Sequence, residues 1–555
     1  MTTHQDHRNV AGLMISCLES EGVEYMFGIP GEENIRLVDA TAGSRIRFIL
    51  ARHEQGASFM ADVYGRLSGK AGVCTATLGP GAINLALGVT DAQTDSSPLV
   101  AISAQVGLNR IYKESHQIVD LVSMYKPLTK WADLLLTPAA VPEMVRKAFD
   151  VAQSERPGAV YLAIPEDVEA AQVPVGAKPI PARPNHAAGP DPAQVEAAVR
   201  LIRKAKRPII LAGHGVARAG ASSPLTRLSD VTGIPVATTF MGKGVISDRH
   251  PNALGVVGFM RHDYENFAFD KADVILGIGY ELQEFAPARI NPKGDKAVVH
   301  IHRFAEDTDA AYPIAVSIEA DINRALEPLI EAFSAKPCPA YETDSKIRSL
   351  HEAELKGAEH DSSFPVKPQR IVNDIRKALG DEDIVLADTG AIKMWMARLY
   401  PAYAPLTCLI SNGLSTMAWT LPGAIGAKLA KPHAKILATM GDGSFLMNSQ
   451  EIETAVREKI PLVVLVWVDN AYGLIKWKMD LELGHHRDVD FGNPDFVRYA
   501  ESFGAKGYRI KAASELLPVL RGALRDDGVS IIACPVDYSE NMKLTSRLGA
   551  LTDPL

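Results

Sequence analysis

Short apolar runs alternate with amphipathic stretches along almost the whole chain. Residues 45–50, 72–78, 98–104 and 159–164 form one set of runs. Residues 208–212, 274–278 and 297–301 form a second, and 384–387, 435–440, 462–468 and 530–534 a third. Short runs without in/out alternation predict strands buried on both faces. The stretches between them carry apolar positions at helical spacing, which predicts crossover helices and parallel sheets. Two segments break the rhythm. Residues 173–191 are rich in Pro, Ala and Gly and read as a linker. Residues 336–365 begin with Pro337 and Pro339 and continue polar and charged. The expected fold class is α/β, three doubly wound domains with parallel sheets, at 1–172, 192–334 and 365–555. In such sheets ligands sit beyond the carboxyl ends of the strands. The tail, 537–555, is polar and is expected to lie over a site or to fray.

Composition narrows the function classes. A chain of 555 residues has the length of three ordinary domains. Its 47% apolar and 22% charged content suits large cores. The net charge of −8, with no Lys/Arg block, leaves no electrostatic footprint for nucleic acid. No apolar run is long enough to span a membrane, and the first eight residues lack a basic-then-apolar export pattern. Cys17, Cys74, Cys338, Cys408 and Cys534 are odd in number, far apart and without a C-x-x-C. They read as buried thiols of a cytoplasmic protein, not as a disulfide frame or a zinc site.

The chemistry is concentrated at two strand ends. Gly441-Asp442-Gly443 directly follows one apolar run, and Asp469-Asn470 closes the next, with Asp469 27 positions after Asp442. A glycine turn exposes backbone N–H groups that cradle a diphosphate. Two Asp side chains supply the oxygen ligands that Mg²⁺ shares with phosphates. The gap accommodates one helix, near 448–458, and one return strand, as a parallel crossover requires.

This segment resembles the diphosphate-binding motif of the thiamin diphosphate (ThDP) enzymes, Gly-Asp-Gly followed by Asn-Asn, with Asp469 standing for one Asn. The resemblance extends to the first block. There Arg52-His53-Glu54-Gln55-Gly56-Ala57 and Thr77-Leu78-Gly79-Pro80-Gly81 match the family's pyrimidine-binding domain. It implies that Glu54 shares a proton with N1′ of the aminopyrimidine and that Gly79 lies against the cofactor. In the third block, Ser411-Asn412-Gly413-Leu414-Ser415-Thr416-Met417 resembles the loop beneath the cofactor. Met417 would wedge between the two rings, and the Ser415 carbonyl would accept a bond from the 4′ amine. By the same resemblance Thr389, Gly390, Ala391, Gly441, Gly443 and Ser444 contact the diphosphate. Leu474 and Ile475 pack near the thiazolium. Asp442, Asp469 and the Ala471 carbonyl hold Mg²⁺.

The subgroup resembled is the catabolic, FAD-independent acetolactate synthases. The matching stretches are Ser115-His116-Gln117, Gly279-Tyr280-Glu281, Met394-Trp395-Met396-Ala397-Arg398, Asp490-Phe491-Gly492 and Pro535-Val536-Asp537-Tyr538. The resemblance implies condensation of two pyruvates to 2-acetolactate and CO₂, with ThDP and Mg²⁺ and without FAD. It also implies that His116 and Gln117 meet a small 2-oxoacid, and that the enzyme is a homodimer at least, as a homotetramer. Lys243 is a weaker candidate for the acceptor carboxylate, against a solvated loop lysine. Another ThDP-dependent decarboxylase or carboligase with a different acceptor, or a pyruvate oxidase, shares the cofactor residues. Glu32-Glu33-Asn34, Ala418-Trp419 and Lys476-Trp477-Lys478 depart from the pattern where acceptor choice is made.

Overall fold

The computed structural model describes residues 9–182, 187–258, 263–338, 341 and 346–550; the opening eight residues and Pro339 lie outside them. Three parallel sheets of six strands follow one another along the chain. The first holds β1 (Tyr25–Gly28), β2 (Arg47–Leu50), β3 (Gly72–Ala76), β4 (Leu99–Gln105), β5 (Trp131–Leu134) and β6 (Ala159–Pro165), in the order β2-β1-β3-β4-β6-β5. The second holds β7 (Pro208–Ala212), β8 (Val236–Thr238), β9 (Ala253–Val256), β10 (Val274–Ile278), β11 (Ala297–His302) and β12 (Ile314–Glu319), in the order β12-β11-β10-β7-β8-β9. The third holds β13 (Ile384–Ala387), β14 (Cys408–Leu409), β15 (Ile436–Gly441), β16 (Leu462–Val468), β17 (Lys506–Arg509) and β18 (Val529–Pro535), in the order β14-β13-β15-β16-β18-β17. The chain is thus an α/β protein of three domains. Its central strands are buried on both faces, which is why their sequences are mostly apolar, with Thr75, Ser103 and Gln105 the buried polar residues of β3 and β4.

The first and third domains share one continuous core, which joins Phe59, Met60 and Val63 to Trp419, Leu421 and Ile425. The helix Glu54–Ser68 lies against the helix Thr420–Ala430. Glycine permits that approach: a Cβ on Gly426 would stand 2.2 Å from the Met60 carbonyl oxygen. Beside this seam Arg66 is buried among Asp62, Asp91 and Asp95.

Two expectations are corrected. Residues 336–365 include the helix Lys346–Ala358, because Ile347 packs into an apolar core of the central domain that the local sequence does not reveal. The single crossover helix near 448–458 is two helices, Asp442–Asn448 and Glu451–Arg457, since the chain turns at Ser449 and Gln450. Of the two courses expected for the tail, its described residues take the first: Tyr538 lines a cavity of the third domain, and Asn541 accepts from the Trp395 indole at 2.8 Å. Ser539–Gly549 is a helix whose Leu544 and Leu548, one turn apart, are buried. All five cysteines are unpaired, and Cys74 is buried in β3. Among the described residues no helix is long and apolar enough to cross a membrane.

Candidate active site

In the third sheet the strand order reverses between β13 and β15, and open α/β sheets bind ligands at such a reversal. A cavity of about 110 Å³ lies there. It is lined by Thr389, Gly390 and Ala391 after β13, Gly441, Asp442, Gly443 and Ser444 after β15, and Asp469, Ala471, Leu474 and Ile475 after β16. Met417 reaches it from the loop before the helix Thr420–Ala430. Every C-terminal candidate except Ser415, which is exposed two residues before Met417, is therefore in one place.

The lining fits a diphosphate. Neither Gly390, at φ +138°, nor Gly441 has a heavy atom within 4 Å of where a Cβ would be. Their missing side chains leave room for a ligand, not for packing. The Thr389 hydroxyl is buried without a protein partner, and the helix Ala391–Leu399 begins at the same place. The two acids fit a divalent cation. Asp442 is buried, and its Oδ2 accepts bonds from the Asn470 N–H at 2.7 Å and the Asn493 amide at 2.8 Å. Burial pushes both carboxyls up, and the Asp442 charge pushes Asp469 further. A cation between them removes that repulsion. Gly473 permits the close approach, since a Cβ there would meet Asp469 Oδ2 at 2.6 Å.

The loop carrying Met417 is held in unusual backbone. Ser415 has φ +54° and Ala418 φ +68°, a region glycine occupies far more easily than alanine. This locates the departure seen in the sequence at Ala418. Hydrogen bonds hold it there: the Ala418 N–H donates to Ser444 Oγ at 2.8 Å and to Asp388 Oδ2 at 3.2 Å. Its carbonyl accepts from the Asn448 amide at 3.0 Å. Asp388, pushed up to about 7 by burial, also accepts from the Ser444 hydroxyl. Asp388, Asn493, Tyr472 and Tyr538 are site residues that the sequence reading missed. Asp388, directly before Thr389-Gly390 at a strand end, and Tyr472, directly after Ala471, carried usable signals; Asn493 and Tyr538 come from distant loops.

The N-terminal candidates form a second cluster. Glu54 opens its helix directly after β2, and its Oε2 accepts a bond from the Asn84 amide at 3.0 Å. Gly81 lies against the same carboxylate: a Cβ there would stand 3.3 Å from Glu54 Oε1. Gly79 has φ +52°, and a Cβ there would stand 2.7 Å from the Gln117 carbonyl oxygen. This close approach brings Gln117 beside Gly79, with His116 next to it; both side chains are exposed. Glu33 accepts a bond from the Thr77 hydroxyl at 2.5 Å, so the departure at Glu32-Glu33-Asn34 borders the same turn. None of these residues lines the C-terminal cavity, whose walls run from Thr389 to Tyr538. Lys243 belongs to neither cluster. It is not a solvated loop lysine but is buried 3.6 Å from Asp248, because the turn at Gly244 packs against Ala404. It lines a separate cavity with Arg398 and Tyr400.

Comparison with known proteins agrees with this geometry. The thiamine pyrophosphate enzyme N-terminal TPP binding domain matches residues 8–124, the central domain 195–329 and the C-terminal TPP binding domain 388–534. The acetolactate synthase of Bacillus subtilis (strain 168) is 36% identical over 542 residues, covering 97% of this chain and 94% of its own. A catabolic acetolactate synthase of Raoultella terrigena is 34% identical over 543 residues, covering 97% of each. A probable acetolactate synthase large subunit of Methanococcus aeolicus is 35% identical over 568 residues, covering 98% of this chain and 95% of its own. With all three domain models matched and similarity running nearly end to end, the chain belongs to the thiamine pyrophosphate enzyme family, in its acetolactate synthase group.

Proposed function

We propose that this protein is an acetolactate synthase that joins two pyruvates to give 2-acetolactate and CO₂. Its near full-length likeness to acetolactate synthases, a catabolic one among them, is the observation that carries this reading. Bound ThDP supplies the electron sink that makes loss of CO₂ from a 2-oxoacid possible. The protein's share is binding, orientation and proton control. Asp442, Asp469 and the Ala471 carbonyl hold Mg²⁺; Thr389, Gly390, Ala391, Gly441, Gly443 and Ser444 hold the diphosphate. Met417, Leu474 and Ile475 shape the apolar wall beside the thiazolium, and the Ser415 carbonyl accepts from the amine. Glu54 holds a proton at N1′, and Gly79 lets the chain approach the pyrimidine. His116 and Gln117, beside Gly79, meet the 2-oxoacid carboxylate. An apolar wall that excludes water favours a second pyruvate over a proton as the partner of the activated fragment.

The two half-sites face one cofactor only if two copies associate. Exposed Ile83 and Leu87, one turn apart on the helix Pro80–Thr94, and exposed Leu446, Met447 and Ile475 around the cradle support a homodimer, with a homotetramer as the expected assembly. The five unpaired cysteines support a cytoplasmic location.

FAD independence has support in the central domain. Its sheet reverses between β10 and β7, and Glu284 fills the crevice there. The carboxylate accepts from the His214 and Glu281 N–H groups, both at 3.1 Å, and from the Thr239 hydroxyl. It takes the donors that a dinucleotide phosphate uses in folds of this order.

Incubating the purified protein with pyruvate, ThDP and Mg²⁺ tests the proposal. The expected product is 2-acetolactate, which gives acetoin on acid heating, from a colourless protein indifferent to added FAD. Acetaldehyde as the main product would indicate a decarboxylase, and a flavin absorbance an oxidase.

A further inference from the structure

A lysine stands where the helix Ala391–Leu399 passes under the cofactor loop. Lys393 is 8% exposed, two residues beyond the cradle residue Ala391. Its ammonium donates to the Ser411 carbonyl at 2.8 Å and to the Ser415 hydroxyl at 3.0 Å. The amine therefore ties the two ends of the turn that precedes Met417. The same turn is gripped from the first domain. Asp91 accepts from the Ser411 hydroxyl at 2.6 Å, and Asp95 from the Asn412 and Gly413 N–H groups. Ser415 sits in left-handed backbone, which persists only where its surroundings fix it. Its hydroxyl has two partners among the described residues, Lys393 and the Asn412 carbonyl.

We propose that Lys393 is a positioning residue of the reaction centre, one that fixes the 411–415 turn and, through it, the Ser415 carbonyl that meets the cofactor's amine. The inference rests on the ThDP reading above, not on the identity of the 2-oxoacid. A lysine that served only as counter-charge to the buried acids would point at them; Arg66 does so, 2.8 Å from Asp62 and from Asp95. Lys393 spends its bonds on the turn. The charged groups facing it are Asp95 and Asp91 of the first domain, Asp388 at the end of β13, and Arg66. The Phe240 ring of the central domain lies 5.9 Å from the amine. Burial, only partly offset by the three acids, lowers its pKa to about 8, so its charge is present below that pH and lost above it.

Lys393→Met and Lys393→Arg test this, each loaded with ThDP and Mg²⁺. Three quantities are read: the ThDP dissociation constant by calorimetry, the exchange rate of the cofactor's C2 proton in D₂O without substrate, and turnover against pH. In Lys393→Met the dissociation constant is expected to rise by about threefold to tenfold. C2 exchange is expected to slow by roughly tenfold or more per bound cofactor. Lys393→Arg should recover most of the exchange rate and move the alkaline limb of the profile above pH 8, because a guanidinium keeps its charge. Unchanged C2 exchange in Lys393→Met overturns the proposal, as does an alkaline limb that Lys393→Arg leaves in place. Should Lys393→Met not fold, Lys393→Gln is read by C2 exchange in its place, and unchanged exchange there overturns the proposal. Binding and C2 exchange need no 2-oxoacid, so they separate failure here from a wrong substrate.

Discussion

The first and third domains have the same plan and opposite chemistry. Numbered within each domain, both sheets run 2-1-3-4-6-5, and both put their candidate residues at the reversal beside the first strand. In the third domain the turns there are glycine-lined and acidic, with Gly390, Gly441, Asp442 and Asp469 around a cavity. In the first, the corresponding turns carry Gly79 and Gly81, and a carboxylate, Glu54, that points at Asn84. One end gathers open glycine turns and two acids; the other offers a single carboxylate held by Asn84, on a helix whose Ile83 and Leu87 are exposed. Topology chose the location of both sites, and a few turn residues chose what each does. The central domain makes the same point by contrast. Its sheet runs 3-2-1-4-5-6 by the same count, yet its reversal is filled by its own Glu284.

The sharpest test of this division of labour is at the cradle. Asp442→Ala removes the proposed metal ligand and the acceptor for the Asn470 N–H, so ThDP affinity should fall by about a hundredfold or more. Unchanged affinity by calorimetry would place the metal elsewhere. At the other half-site the consequence is different in kind. Glu54→Gln should bind ThDP within a few-fold of normal but lose roughly 10²–10⁴ in turnover. Near-normal turnover by that variant removes Glu54 from the mechanism.

Joining the halves is the next contrast. Ile83→Glu combined with Leu87→Glu puts charge on the exposed face of the helix Pro80–Thr94. Mass photometry should then show monomers, with ThDP affinity down by about tenfold or more, since only one half-site remains to hold it. A fully active monomer would break the two-copy reading.

The smallest effect concerns the seam between the domains. Glu451 of the third domain accepts the Arg52 and His53 N–H groups, at the start of the helix that carries Glu54. Burial pushes it up to about 7. A carboxyl raised on folding contributes stability below its unfolded value, near 4, and loses it as pH rises through 7. The wild-type unfolding free energy should therefore fall between pH 5 and 8 by on the order of 1–3 kcal/mol more than that of Glu451→Gln. Parallel profiles from denaturant titrations would dismiss the effect.

The sequence alone determined the fold class, most strand positions and the two glycine-acid turns, because these depend on local pattern. β7, β10, β13 and β16 occupy the very residues of the apolar runs, since strands buried on both faces favour apolar side chains. The cradle residues were legible for a related reason: a turn at a strand end fixes its own neighbours, so Asp442 and Asp469 had only one crossover between them. What lay beyond local pattern was decided by tertiary structure. Asn493 and Tyr538 stand beside or within stretches that carry the resemblance, but nothing in their local sequence shows that they reach the cradle. The helix Lys346–Ala358 hides in a charged segment because few of its positions need burial. Lys243 read as a solvated loop lysine or a weaker acceptor candidate, Lys393 stood out in no motif, and only packing shows both buried. Long-range contacts are chosen by which surfaces the sheets bring together, and no spacing along one strand or helix records that choice.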